Sequence, residues 1–171
     1  MILPERRQKK MQTYIRKFVK SDIPYKVKWI NDPHNNTYLH YNLPLEIEKT
    51  ERWLEANRDR KDRFDATILC DDKPVGLIGL LSIVGNKAEY YIAIGENEYK
   101  GKGIAKEASL QLFKYAKEVL GLHTVELYTE VDNIGAQKLF ECIGFIKQGI
   151  AKASAINSGK YVDRFYYTLE L

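Results

Sequence analysis

The chain has 171 residues, 44% of them hydrophobic and 29% charged, with a formal net charge of +4. That length suits one globular domain spanning residues 1–171, able to bury roughly two-thirds of its unfolded surface without disulfide or metal staples. No apolar run approaches the ~20 residues of a membrane-spanning helix, and residues 1–10 are polar and basic without the apolar core of a secretion signal, so a cytoplasmic location and no membrane contact are expected.

Arg6, Arg7, Lys9 and Lys10 make residues 1–11 a flexible, solvated basic tail. Nothing resembles a nucleic-acid-binding motif, and no nucleic-acid partner is expected. Residues 13–19 read as a first strand, followed by a helix from Asp22 through Trp29 and Ile30 that stops near Asp32-Pro33. Residues 34–42 are polar and aromatic and read as a loop. Pro44 starts a second helix over residues 45–57. Residues 64–70, 75–84 and 88–94 are strands joined by the turns Asp71-Asp72-Lys73-Pro74 and Gly85-Asn86-Lys87, an antiparallel meander. Ile104, Ala108, Leu112, Ala116 and Val119 recur on one face of a helix that ends near Gly121. A strand over 124–131, a helix over 133–143, and strands over 145–153 and 161–171 with the turn Asn157-Ser158-Gly159 complete the chain. Cys70 and Cys142 sit among apolar neighbours without metal-type spacing and read as buried, reduced thiols; no metal site is expected.

Lys100-Gly101-Lys102-Gly103-Ile104-Ala105 lies between a strand and the longest amphipathic helix. Glycines let backbone N–H groups crowd inward, a helix N-terminus adds partial positive charge, and the lysines add whole charges, so the turn suits a phosphate or pyrophosphate. A Rossmann site would need repeated βαβ units, which the meander before the turn does not supply. A P-loop would need Gly-Lys-[Ser/Thr], which is absent. Downstream, residues 132–145 form a helix signature with Asp132 or Asn133 at the N-cap and Gly144 just past the end.

The two segments together resemble the GNAT superfamily of acetyl-CoA-dependent N-acetyltransferases. The first is similar to that family's [Gln/Arg]-x-x-Gly-x-[Gly/Ala] turn, and the second to its Asn-x-x-Ala…Glu-x-x-Gly-Phe helix. The resemblance covers roughly residues 64–170. It implies an α/β (α+β) acyl-CoA N-acyltransferase fold: a mixed, mostly antiparallel seven-stranded sheet with about four helices, in the order β-α-α-β-β-β-α-β-α-β-β. It implies direct transfer of acetyl from acetyl-CoA to a primary amine on a protein N-terminus, a polyamine or an amino sugar. A non-catalytic CoA-binding sensor or partner-binding module on the same fold is the alternative, and a homodimer stays open. The branch most resembled includes ribosomal-protein serine/alanine and spermidine acetyltransferases.

The resemblance also assigns residues. Backbone N–H groups of Gly101, Lys102, Gly103, Ile104 and Ala105 are expected to hold the pyrophosphate, beside Lys100, which stands where the family has Gln or Arg. Ile92, Ala93 and Ile94 are expected to offer a strand edge to the amides of the cofactor arm. Asn133 is expected to contact that arm, cap its helix, or both. Glu89 is the expected base, or else an outward-facing strand glutamate. Phe140 replaces the tyrosine that serves many relatives as an acid and is expected to pack beside the thiol arm. Trp29, Tyr38 and Tyr41 are expected to wall the acceptor pocket.

Overall fold

A computed structural model describes residues 9–171; residues 1–8, with most of the basic tail, lie outside it. Strand β1 (Thr13–Lys17) leads through a short turn of 3-10 helix to α1 (Ile23–Asn31), α2 (Pro33–Asn36) and α3 (Ile47–Ala56). Strands β2 (Phe64–Cys70), β3 (Lys73–Val84) and β4 (Lys87–Ile94) form the expected meander. Helix α4 (Ile104–Glu118), β5 (Thr124–Glu130), α5 (Ile134–Ile143) and the hairpin β6 (Ile146–Asn157) to β7 (Lys160–Glu170) follow. The seven strands form one sheet in the order β1-β2-β3-β4-β5-β7-β6, with only the β4–β5 pair parallel.

Alternation along the strands divides the core between the two faces. On one face Ile68, Ile78, Tyr90, Leu127 and Tyr167 pack with Ile104, Ala108, Leu112 and Ala116 of α4. On the other, Leu77 packs with Phe18, Ile23, Trp29 and Ile30, and Trp53, Leu54 and Tyr91 lie against them. Helix α4 also seals the outer edge of the sheet. Gln111 donates from Nε2 to the Thr13 carbonyl at 2.8 Å and accepts from the Ile15 N–H at 3.1 Å, satisfying groups that an edge strand otherwise leaves open.

Four expectations need correction. Residues 33–36 are helical rather than loop, because the Asp32 carboxylate accepts from the His34 N–H at 2.9 Å and Pro33 stands at the first helical position. Five helices therefore replace four. The helix expected from residue 45 begins at Ile47, after a cis Leu43–Pro44 bond. Val119 is exposed, since α4 ends at Glu118 and the chain turns there toward Gly121. Cys142 is exposed, because the row of α5 that faces the core runs through Gln137 and Ile143; Cys70 is buried as expected.

Asp22 stands at the N-cap of α1 as expected, but its carboxylate makes no capping bond there and works across elements. Its carboxylate is bound by Arg16 at 2.6 and 2.9 Å, by the Val19 N–H at 3.0 Å and by Thr67 Oγ1 at 2.8 Å. Burial pushes this carboxyl's pKa up, but those donors outweigh burial and hold it below the ordinary value. The result ties the start of α1 to β1 and β2, which fixes how α1 lies over the sheet.

Candidate active site

Three rungs join β4 to β5: Lys87 to Thr124, Ala88 to Val125, and Glu89 to Glu126. Beyond Glu89 the parallel partner is gone, while β4 runs on to Ile94 paired only with β3. The opening leads to a cavity of about 340 Å³ lined by Ile92, Ala93, Ile94 and Gly95 of the strand end, with Trp29, Tyr38, Lys100 and Asn133 around them. Trp29 is buried, and its Nε1 donates to Glu96 at 2.9 Å. Gly95 makes this arrangement possible, since a Cβ there would collide with the Trp29 indole. Asn35 ties the wall together, donating to the carbonyls of Trp29 at 3.2 Å and Gly95 at 3.0 Å and accepting from Lys100 Nζ at 2.7 Å.

At the mouth stands the glycine turn. Gly101 and Gly103 have φ of 73° and 79°, the left-handed region that glycine enters without strain, and open space surrounds both. Among the described residues no N–H from Gly101 to Lys106 donates within the protein; the first to do so is Glu107, to the Gly103 carbonyl at 3.1 Å. These unpaired donors at a helix N-terminus are the physical basis of an anion cradle. The side chain of Ile104 is in the core, so it can offer only its backbone. Asn133 caps α5 by accepting from the Ala136 N–H at 3.2 Å, and it lines the cavity as well. The cap and a place in the cavity wall therefore coexist at one residue.

Glu89 lies on the last rung, at the vertex of the opening, rather than in the cavity wall. Burial raises its carboxyl pKa, Arg164 pulls it back, and the neighbouring Glu126 adds to the rise. Glu126 is itself engaged by the Tyr166 hydroxyl and by Lys87 at 2.7 Å. At the far end of β5, buried Glu130 accepts from Asn157 Nδ2 at 2.8 Å and lies 3.1 Å from His40 Nε2. Asn157 also donates to the Thr37 carbonyl at 2.9 Å, and Tyr38 donates to the Asp132 carbonyl at 3.1 Å. These contacts clasp residues 37–40 over the opening.

A second cavity of about 170 Å³ shares Ile30, Leu39, Leu77, Ile92 and Ala93 with the first. It extends away from the glycine turn toward Leu81 and Tyr91, the latter two residues beyond Glu89 on β4. Tyr41 belongs to this second cavity, whereas Trp29 and Tyr38 line the first. Phe140 lines neither. Its ring packs edge-on against Tyr90 at 6.1 Å, Phe145 at 5.9 Å and Tyr167 at 6.4 Å, on the α4 side of the sheet.

Lys26, Asn35 and Gly95 escaped the sequence reading. Lys26 was legible in principle: it falls at i+3 from Ile23 and at i−3 and i−4 from Trp29 and Ile30, a cation on the apolar stripe of α1. Asn35 and the Glu130 clasp left no signal, because each depends on partners far along the chain.

A seven-stranded sheet opened between two parallel strands, with an anion cradle at the mouth, defines an acyl-CoA-type transferase scaffold. The profile described as "Acetyltransferase (GNAT) domain" matches residues 12–146, and the chain belongs to that family. Among relatives, the protein named Putative ribosomal N-acetyltransferase YdaF of Bacillus subtilis is 37% identical over 62% of this chain and 58% of its own length. The spermidine N(1)-acetyltransferase of Vibrio cholerae is 29% identical over 63% of this chain and 64% of its own. The chain thus spans about three-fifths of each of these two relatives. The crystal structure of spermidine N-acetyltransferase from Vibrio cholerae in complex with CoA and spermine superposes with a TM-score of 0.85 at 23% identity, covering 93% of this chain and 95% of that one. It shows the same fold. Among the described residues no helix is long and apolar enough to cross a membrane.

Proposed function

We propose that this chain transfers an acetyl group from acetyl-CoA to a primary amine. The observation that carries the reading is the opening beyond Glu89 with the unpaired N–H groups of residues 101–106 at its mouth. The turn receives the pyrophosphate, the small Gly101 and Gly103 letting it approach the main chain, and Lys100 adds charge beside it. The unpartnered edge of β4 over Ile92, Ala93 and Ile94 supplies strand-like hydrogen bonds to the amide-rich arm, with Asn133 opposite. When bound, acetyl-CoA supplies an acetyl group activated as a thioester.

The chain's residues then govern the amine. Glu89 takes the proton that the acceptor nitrogen must lose, through water given its place at the vertex, as the carbon–nitrogen bond replaces the carbon–sulfur bond and CoA leaves as the thiolate, which takes its proton from solvent. Trp29 and Tyr38 wall the site. The acceptor is a primary amine; the relatives named for spermidine support a polyamine, and the one named as a ribosomal acetyltransferase supports a protein N-terminus.

A thiol-release assay tests the reading, with acetyl-CoA and a panel of polyamines, amino sugars, amino acids and peptides with free N-termini. Saturable, amine-dependent thiol release from at least one class is expected. Tight acetyl-CoA binding without turnover on any class would replace the enzyme by a CoA-binding sensor on the same fold.

A further inference from the structure

The second cavity holds a side chain for which acetyl transfer to a plain amine has no use. Lys26 is 8% exposed, and among the described residues its Nζ has neither a hydrogen-bond acceptor nor an ion-pair partner in the protein; the atom is not sealed in the core but reaches the cavity. Aromatic rings surround it instead: Nζ lies 4.0 Å from the centroid of Trp53, 5.6 Å from Phe18 and 5.9 Å from Tyr41. Rings favour a cation over their faces but accept none of its three N–H bonds in the manner of an oxygen. Buried cations are ordinarily paired.

The neighbouring charges do not supply the pair. Asp65 is the carboxylate lining this cavity, and it is bound by Arg63 at 2.7 and 2.9 Å and by the Tyr91 hydroxyl. Arg63 sits over the same indole, 4.8 Å from the Trp53 centroid. Two cations and one carboxylate leave a net charge of +1 facing about 170 Å³ of space. The position gives that charge a meaning. The glycine turn, Lys100 and Asn133 lie on one side of Ile92 and Ala93, and Lys26 lies on the other, in the direction of Glu89. The cofactor side and the Lys26 side therefore adjoin, with Ile30, Leu39, Leu77, Ile92 and Ala93 common to both.

We propose that the second cavity is an acceptor subsite for a carboxylate, received by Lys26 Nζ within its aromatic ring, and that the amine acetylated here carries such a group. The proposal rests on the acetyltransferase reading only for the word acceptor; the carboxylate site stands on the geometry of Lys26. Burial, outweighing the pull of Asp65, lowers the pKa of Lys26 to about 8, so most of it is still charged at neutral pH. A polyamine, by contrast, would bring further positive charge toward it.

Paired acceptors test this: amino acids and ω-amino carboxylates, each against its carboxamide, with diamines of matching length. For the wild-type protein kcat/KM should favour the carboxylate at least about tenfold over the carboxamide, the scale of one charge-assisted contact. Lys26→Met, which keeps the length and removes the charge, should bring that ratio near one, and Lys26→Arg should restore part of it. Retained CoA affinity in both variants confirms that they fold. A wild-type preference for carboxamides or diamines, or a carboxylate preference that Lys26→Met leaves intact, overturns the proposal. If no acceptor is turned over, the acetyltransferase reading fails by itself, and titration with butyrate followed by tryptophan fluorescence still decides the subsite. Saturable binding that Lys26→Met abolishes supports it. No saturation, or binding that the variant leaves intact, removes it.

Discussion

Gly103→Val is expected to weaken CoA binding by about 100-fold or more, measured by calorimetry, while the protein stays folded. Gly103 caps α4 with φ of 79°, and a non-glycine residue in that region is strained by ~1–2 kcal/mol, more for a β-branched one. No atom of the protein lies within 4 Å of the new Cβ, so the damage does not come from an internal clash. It falls on the direction of the N–H groups from Gly101 to Lys106 and on the room for a phosphate over them. Lys100→Ala removes a charge that is exposed and already held by Asn35 at 2.7 Å, and should cost only about 1 kcal/mol. Unchanged affinity in Gly103→Val would take the pyrophosphate away from this turn.

Glu89→Gln should lower kcat by about 10²-fold while leaving acetyl-CoA affinity near that of the wild type. Glutamine keeps the shape at the vertex and the rung with Glu126, so the loss isolates proton removal. The pH profile carries a second signature. A general base works in its ionised form, and burial sets the Glu89 pKa above the ordinary carboxylate value. At saturating substrates kcat should therefore rise with pH, later than an exposed glutamate would make it, and then level. No falling limb is expected from α5, where Phe140 has no hydroxyl and packs against the core. Full activity in Glu89→Gln would mean that the base is elsewhere or that the amine arrives neutral.

Local signals in the chain carried the sheet and the glycine turn. The turns at residues 71–74 and 85–87 marked out β2 to β4, the run Ile104, Ala108, Leu112 and Ala116 marked the buried face of α4, and Gly101 and Gly103 marked the turn between strand and helix. Each depends on residues a few positions apart. The walls of the site do not. The opening beyond Glu89 arises from where a parallel strand stops pairing, and Asn35 meets Lys100 across 65 positions. Phe140 shows the other limit. Its place in the helix was legible, but that its ring meets Tyr90, Phe145 and Tyr167 depended on how α5 lies against the sheet. The helix at Pro33–Asn36 was a different failure: its cap and proline were present, and polar composition concealed them.

Lys26 also has a consequence for stability. Its pKa is about 8 in the folded chain against an ordinary value of 10.5, so the unfolded chain binds this proton more tightly. The folded state is penalised in full below pH 8, less as pH rises toward 10.5, and not at all above it. At 1.36 kcal/mol per unit, the penalty at neutral pH is about 3 kcal/mol at most, partly offset by the stacked rings that the pKa alone does not count. Lys26→Met should therefore stabilise the protein by about 1–2 kcal/mol at pH 7, read from the denaturant midpoint. The gain should shrink toward pH 10.5, where wild type and variant converge. A variant less stable than the wild type at pH 7 would show that the rings more than repay the burial of the charge. Otherwise this helix keeps a lysine where methionine would fold better.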